Sequence, residues 1–392
     1  MNKKKSKIKL KGRIVTPLAI IDGVLSVMDG RIIDIQQDAE VTAETLDFGT
    51  DLIVPGFIDI HLHGVGPYKM QSEDHLVHAS KLLLKYGTTG FFPTLANVSI
   101  QGYLDFTHSV VAAQKRIGTN GASLLAAHFE GPFINPLKKG GMHEGYLQKI
   151  SIDICSQFTQ TGAVGYLTLS PELTGSTEAI RYLTERKVVV SLGHTAASNE
   201  EVLAASAAGA KSVCHLYNTF SRTGEDEPGV WTPGLVEYLL DNNKFFCEII
   251  CDMVHVRREY IRLAEAMLRP YRFIAITDSM TGAGLPAGEY TMSDGRWFTT
   301  HTGAGRLRDE PLKNGIVGSV LTMNKAFANL IEICGFDAVS AVRYTSTNAA
   351  RLFGLENDIG RIAVGNKADL AVLNKNYDCT AVFVEGELRY EL

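Results

Sequence analysis

Pro55-Gly56-Phe57-Ile58-Asp59-Ile60-His61-Leu62-His63-Gly64 is an apolar run that closes on two histidines with one residue between them. A β-strand points successive side chains to opposite faces, so His61 and His63 leave one face together at the strand's C-terminal end. Neutral imidazole is the commonest protein ligand for zinc and similar ions, which makes the pair half of a metal site. Two hydrogen-bonded structural histidines look the same in this stretch alone. What the rest of the chain brings beside them decides between the two.

Downstream, apolar strand-like runs alternate with longer Ala- and Leu-rich helical stretches, the signature of a parallel sheet with crossover helices. Eight runs qualify: Phe57–His63, Thr89–Leu95, Leu124–Glu130, Gly165–Ser170, Val188–His194, Ser212–Tyr217, Phe246–Asp252 and Phe273–Asp278. This repeat predicts an α/β fold, a (β/α)8 TIM-type barrel over residues 55–355. Outside it, Lys7–Leu10, Gly23–Val27 and Arg31–Ile35 alternate between turn signals such as Asp22-Gly23 and Asp29-Gly30, and Ala368–Leu373 and Ala381–Gly386 are similar. Residues 1–54 are too few to bury a core alone, so they are expected to join residues 356–392 in one small β-sandwich.

The 392 residues are 45% hydrophobic and 21% charged, with a net charge of -5. A pI near 6.1 offers no basic field to a phosphodiester backbone, and no run is long enough to cross a bilayer, so neither nucleic acid nor membrane is an expected partner. Lys3-Lys4-Lys5-Ser6-Lys7 reads as a solvated tail, since no apolar segment follows to make it a signal peptide. Cys155, Cys214, Cys247, Cys251, Cys334 and Cys379 show no paired spacing, which fits buried free thiols in a reducing cytoplasm.

In a (β/α)8 barrel the chemistry gathers at the C-terminal ends of the strands. Here those ends read His61 and His63, Glu130, His194, His215, Asp252 with His255 close behind, and Asp278. Each alone is an ordinary polar group closing a strand. Together they offer nitrogen and oxygen ligands for one or two divalent ions, zinc or iron foremost, with Glu130 able to bridge a pair. A bound ion lowers the pKa of its water to about 7, and Asp278 is the base that takes the water proton and returns it to the leaving group. Hydrolysis of an amide, ester or cyclic amide is the implied reaction. The Gly-rich loop Lys138-Lys139-Gly140-Gly141-Met142-His143 is expected to fold over the site, with His143 polarising a carbonyl oxygen. Asn218, after strand six, meets polar substrate groups or is an ordinary turn residue.

His128-Phe129-Glu130-Gly131-Pro132-Phe133, Leu169-Ser170-Pro171-Glu172, Gly193-His194-Thr195, His215-Leu216-Tyr217-Asn218, Ile276-Thr277-Asp278-Ser279-Met280 and Gly318-Ser319-Val320-Leu321-Thr322-Met323 together resemble the amidohydrolase superfamily, and within it the N-acetylglucosamine-6-phosphate deacetylases. The likeness runs from Pro55 through the C-terminal segment. It implies a cytoplasmic homodimer that deacetylates N-acetylglucosamine 6-phosphate. Glu130, His194 and His215 then hold the main ion and His61 and His63 a second, Asp278 is the acid/base, and His143 orients the N-acetyl carbonyl. By the same resemblance Asn218 and Thr219 lie along the sugar phosphate, and the partner subunit completes the phosphate site with a histidine, matching His255, and an arginine.

The arginine is where this chain departs from the pattern. The family reads Arg-Glu-Pro-Gly or Arg-Asp-Pro-Gly where this chain has Asp226-Glu227-Pro228-Gly229, and a carboxylate repels the phosphate that a guanidinium binds by two parallel hydrogen bonds. Residues 230–244 are longer than the family pattern, and Met253 stands where a glycine is usual. Either Arg222, or Arg257 and Arg258, brings the positive charge from a shifted loop, or the substrate is an unphosphorylated or galacto-configured N-acetylhexosamine to which Asp226 bonds. A solvated loop accounts for these arginines equally. The rivals are another amidohydrolase reaction, against which the Glu130 segment and His143 speak, and a catalytically inactive barrel, against which the complete ligand set speaks.

Overall fold

The structure, a computed structural model, describes residues 7–308 and 313–392 apart from residues 38, 40, 41, 44, 222, 223, 226 and 227. All eight runs form parallel strands of one sheet in chain order: Phe57–Leu62, Thr88–Leu95, Ala127–Glu130, Val164–Leu169, Val189–Leu192, Ser212–Val213, Phe246–Ile250 and Phe273–Ile276. The third run is split, Ser123–Leu124 pairing separately with strand two. Asp278 donates its N–H to the His61 carbonyl (2.9 Å) and His63 donates to the Ser279 carbonyl (2.7 Å), which closes strand eight on strand one. The helices bury apolar stripes against the strands. In Ile100–Ile117 the stripe is Tyr103, Phe106, Val110, Ala113 and Ile117, and Ser99 caps the helix by accepting the Gly102 N–H, a contact worth about 1 kcal/mol.

The chain ends meet as expected, in one continuous seven-stranded sheet. Thr45–Pro55 carries the join: it runs parallel to Lys7–Val15 on one side and pairs antiparallel, through Leu52–Pro55, with Leu370–Leu373 on the other. Strand alternation divides the side chains between two cores. Ile53, Leu370, Val372, Ala381 and Phe383 face a small core with Leu10, Ile14 and Leu25, while Leu52, Val54, Ala371, Leu373, Val382 and Val384 join the core of the barrel. One face of the sheet therefore encloses the small core and the other packs on the barrel.

One feature was not expected from the eight repeats. Between strand eight and the helix Met323–Glu332 stands a four-stranded antiparallel sheet, Glu289–Thr291, Trp297–Thr299, Ala304–Leu307 and Ile316–Ser319. Among the described residues no helix is long and apolar enough to cross a membrane.

Candidate metal centre

Glu130 closes strand three, and four imidazoles converge on its carboxylate. Oε1 lies 2.9 Å from Nε2 of His194 and 2.9 Å from Nε2 of His215, and those two nitrogens are 3.1 Å apart. Oε2 lies 3.3 Å from Nε2 of His63, which is also 3.3 Å from Oδ1 of Asp278. Nε2 of His61 stands 3.8 Å from Glu130 and 3.6 Å from Asp278. Simple alternation does not describe strand one, whose register shifts between Asp59 and Leu62. The two rings lie together all the same, with centroids 5.3 Å apart.

Donors bound tetrahedrally at about 2.0–2.1 Å are about 3.3 Å from one another, close to the spacing found here. Nε2 of His61 is buried without a hydrogen-bond partner, a nitrogen placed between two carboxylates. Burial works against charging His61, His63 and His215, but their neighbours outweigh it. Cys214 with Glu248 and Glu130 holds His61 well above the usual histidine range, Asp278 and Glu130 raise His63, and Cys214 and Glu130 hold His215 well above it. Burial also opposes charge on the two carboxyls, yet the histidines hold Glu130 well below the carboxylate range and Asp278 below it. All these shifts ask for positive charge at the centre of the group, which a divalent cation provides. The residues therefore fit a metal.

Hydrogen bonds explain why the strand ends stay in place. Glu172 accepts from Asn135 Nδ2 (2.7 Å), the Thr195 hydroxyl (2.5 Å) and Ala196 N–H (2.7 Å), which ties together the loops after strands three, four and five. The Lys138 carbonyl accepts Nδ1–H of His194 (2.9 Å), leaving Nε2 of that ring as the nitrogen free to ligate. Gly318 has a φ of +128°, and a Cβ there would stand 3.0 Å from the Asp278 carbonyl. Glycine lets the backbones approach, so Ser319 donates its N–H to that carbonyl at 2.8 Å. His194, His215 and Asp278 themselves have φ of +50°, +24° and +48°, a region that costs about 1–3 kcal/mol per residue and recurs at functional sites.

These groups open into a cavity of about 230 Å³. Away from the cluster it is lined by Asn218, Thr219 and His255 and by Met280, Met292, Ile316 and Val317, which lie after strand eight and on or beside the inserted sheet. His255, held by Asp252 through Nδ1 at 2.6 Å, belongs to this chain's own cavity, whereas the resemblance had assigned that position to a partner subunit. Met253, where a glycine is usual, adopts a φ of +65°, the conformation glycine favours.

His143 is not among the residues lining the cavity. Its exposed ring accepts the Gly145 N–H at 3.1 Å and caps the turn Glu144–Tyr146. Met142 is buried with Ala96 and Ile134, which turns the next side chain outward, and Gly140, Gly141 and Met142 line the cavity in its stead. Arg222 and Asp226 lie outside the described residues. Arg257 and Arg258 are exposed at the start of the helix Arg258–Leu268, and among the described residues no lysine or arginine lines the cavity.

Some residues escaped the sequence reading. Asn97 and Asp294 line the cavity and are joined by a 3.1 Å hydrogen bond, with Asp294 also paired with Arg296 at 2.6 Å; nothing in their spacing marked them. Glu248 lies below the cluster with Tyr166. A carboxylate in the middle of the apolar run Phe246–Ile250 was a legible signal, since such a group needs a buried partner.

A closed (β/α)8 barrel that gathers four histidines and two buried carboxylates at its strand ends defines a metal-dependent hydrolase. The chain belongs to the amidohydrolase family, which residues 52–389 match. It is similar to the N-acetylgalactosamine-6-phosphate deacetylase of Escherichia coli O157:H7, 28% identical over 382 residues covering 95% of this chain and 94% of that protein. It is also similar to the N-acetylglucosamine-6-phosphate deacetylase of Bacillus subtilis (strain 168), 29% identical over 390 residues covering 96% and 95%. A solved mutant of the Mycobacterium smegmatis N-acetyl-D-glucosamine-6-phosphate deacetylase, in complex with N-acetyl-D-glucosamine-6-phosphate, matches with a TM-score of 0.89 at 27% identity, over 98% of this chain and 99% of that one.

Proposed function

We propose that the chain hydrolyses the N-acetyl group of an amino-sugar phosphate, N-acetylglucosamine 6-phosphate first, giving glucosamine 6-phosphate and acetate. One arrangement carries this: Glu130, His194, His215, His63 and Asp278 in a cavity that also offers Asn218, Thr219 and His255 to a polar substrate. Relatives that deacetylate 6-phosphorylated amino sugars support it.

Glu130, His194 and His215 would hold the main ion and His61 and His63 a second, zinc or iron suiting their nitrogen and oxygen donors. When bound, such an ion supplies Lewis acidity and a nucleophile at neutral pH. Asp278 handles the proton. Its carboxyl is held below the usual range, so it is ionised when the attacking water gives up a proton to it. It then returns that proton to the nitrogen as the C–N bond breaks, so that an amine rather than an amide anion departs. Asn218, Thr219 and His255 fix the sugar so that the acetamide faces the cluster.

We further propose that residues 55–355 form the catalytic unit and residues 1–54 with 356–392 the small domain, and that the enzyme is a cytoplasmic homodimer. Tyr260, Leu263 and Met267 recur at i, i+3 and i+7 on the helix that follows His255 and are exposed, which supports a second copy covering them. The six cysteines, all free and buried, support a reducing compartment.

An unphosphorylated or galacto-configured substrate is the alternative. The absence of lysine and arginine from the described lining favours the former and the Escherichia coli relative the latter. Acetate release by metal-loaded protein decides, with N-acetylglucosamine 6-phosphate, its unphosphorylated parent and the galacto epimer of each as substrates. Preference for the first supports the proposal; equal or better turnover of an unphosphorylated sugar overturns the substrate and keeps the chemistry.

A further inference from the structure

Strand seven carries one charged side chain in an apolar run. Glu248 has no exposed surface, and its partners are the histidine, tyrosine and backbone groups of the barrel interior. Burying an ionised carboxylate is costly unless donors meet it, and an apolar residue of similar volume would pack there without that cost. Three donors do meet it. Oε2 lies 3.0 Å from Nδ1 of His61 and accepts the His215 N–H at 3.2 Å, and Oε1 accepts the Tyr166 hydroxyl at 2.5 Å.

The structure assigns to Glu248 the positioning of His61 and, through it, the affinity of the His61 and His63 half of the centre for its ion. This rests on the metal reading proposed above. A carboxylate oxygen accepts from Nδ1–H of His61, which leaves Nε2 as the nitrogen free to ligate. That Nε2 is the unpartnered nitrogen between Glu130 and Asp278. The other half of the centre is oriented differently: Nδ1 of His194 is held by the Lys138 carbonyl, a backbone group that no side-chain substitution removes. In that half Glu248 touches only the His215 backbone N–H and neither ring, so its loss strikes the His61 half harder than the other.

Zn(II)-loaded wild type, Glu248→Gln, Glu248→Leu and Tyr166→Phe are dialysed against graded chelator, and ions per chain are counted by elemental mass spectrometry, with the melting temperature as a check on folding. The wild type should lose two ions in separate steps. In Glu248→Gln the weaker step moves about tenfold toward lower chelator and in Glu248→Leu about a hundredfold, while the tighter step stays within about threefold. Tyr166→Phe leaves the carboxylate in place and shifts neither step by more than about threefold. Both Glu248 variants keeping two ions with wild-type retention, both steps moving together, or a wild type that holds a single ion would each overturn the assignment. A wild type that holds two ions and releases no acetate refutes the proposed substrate and leaves the role of Glu248 standing.

Discussion

On one wall of the cavity Glu130, His194, His215, His63 and Asp278 sit at the ends of barrel strands, their polar atoms 2.9–3.3 Å apart. On the other, Ile316 and Val317 belong to an inserted sheet and Asn218 and Thr219 to a turn. The first wall is a fixed arrangement of charge; the second is largely apolar and borne on additions to the barrel. The difference teaches that the scaffold determines which bond is cut, while the additions determine whose bond it is.

The strongest test of that division is Asp278→Asn. It should lower kcat by about a thousandfold with ions per chain unchanged; residual turnover above about a tenth of wild type would move the proton chemistry off the first wall. The pH profile of this wall has to be separated from that of the fold. Burial raises the Asp369 carboxyl from 3.8 to about 6, against the hydrogen bond from the Glu385 N–H. Because the folded state holds this proton more tightly than the unfolded chain, the contribution is full below pH about 4 and is lost as pH rises through about 6, some 3 kcal/mol in all. Urea unfolding at pH 4 and pH 7 should show Asp369→Asn losing less stability between the two than wild type; an unchanged difference places the sensitivity elsewhere.

On the second wall His255→Ala should raise KM about tenfold with kcat within about threefold. A parallel fall in kcat would make His255 part of the chemistry and blur the two walls. The smallest effect is expected at His143, where alanine should leave kcat/KM within about twofold. A tenfold loss would show that the loop Lys138–His143 closes on the substrate and adds a catalytic group to the second wall.

The barrel and the ligand cluster were legible because both leave periodic marks: apolar runs of strand length, six of the eight ending at or beside a residue that a strand end does not otherwise require. The inserted sheet was not, since strands such as Glu289–Thr291 and Trp297–Thr299 are too short for alternation to show. The outward turn of His143 follows from burial of Met142, which spacing cannot reveal. The meeting of the chain ends was legible from paired alternating runs; the sharing of Ile53 and Leu52 between two cores needed the packing partner on the other side.

Thr45–Pro55 runs into Phe57–Leu62 with Gly56 alone between them, so the strand that joins both ends of the chain is continued by the one that carries His61 and on to His63. Anything that binds the folded state alone stabilises whatever unfolds with it. An ion gripped at the mouth is therefore also a rivet for the far sheet, and the resistance of the two termini to fraying becomes a gauge of how fully the centre is loaded.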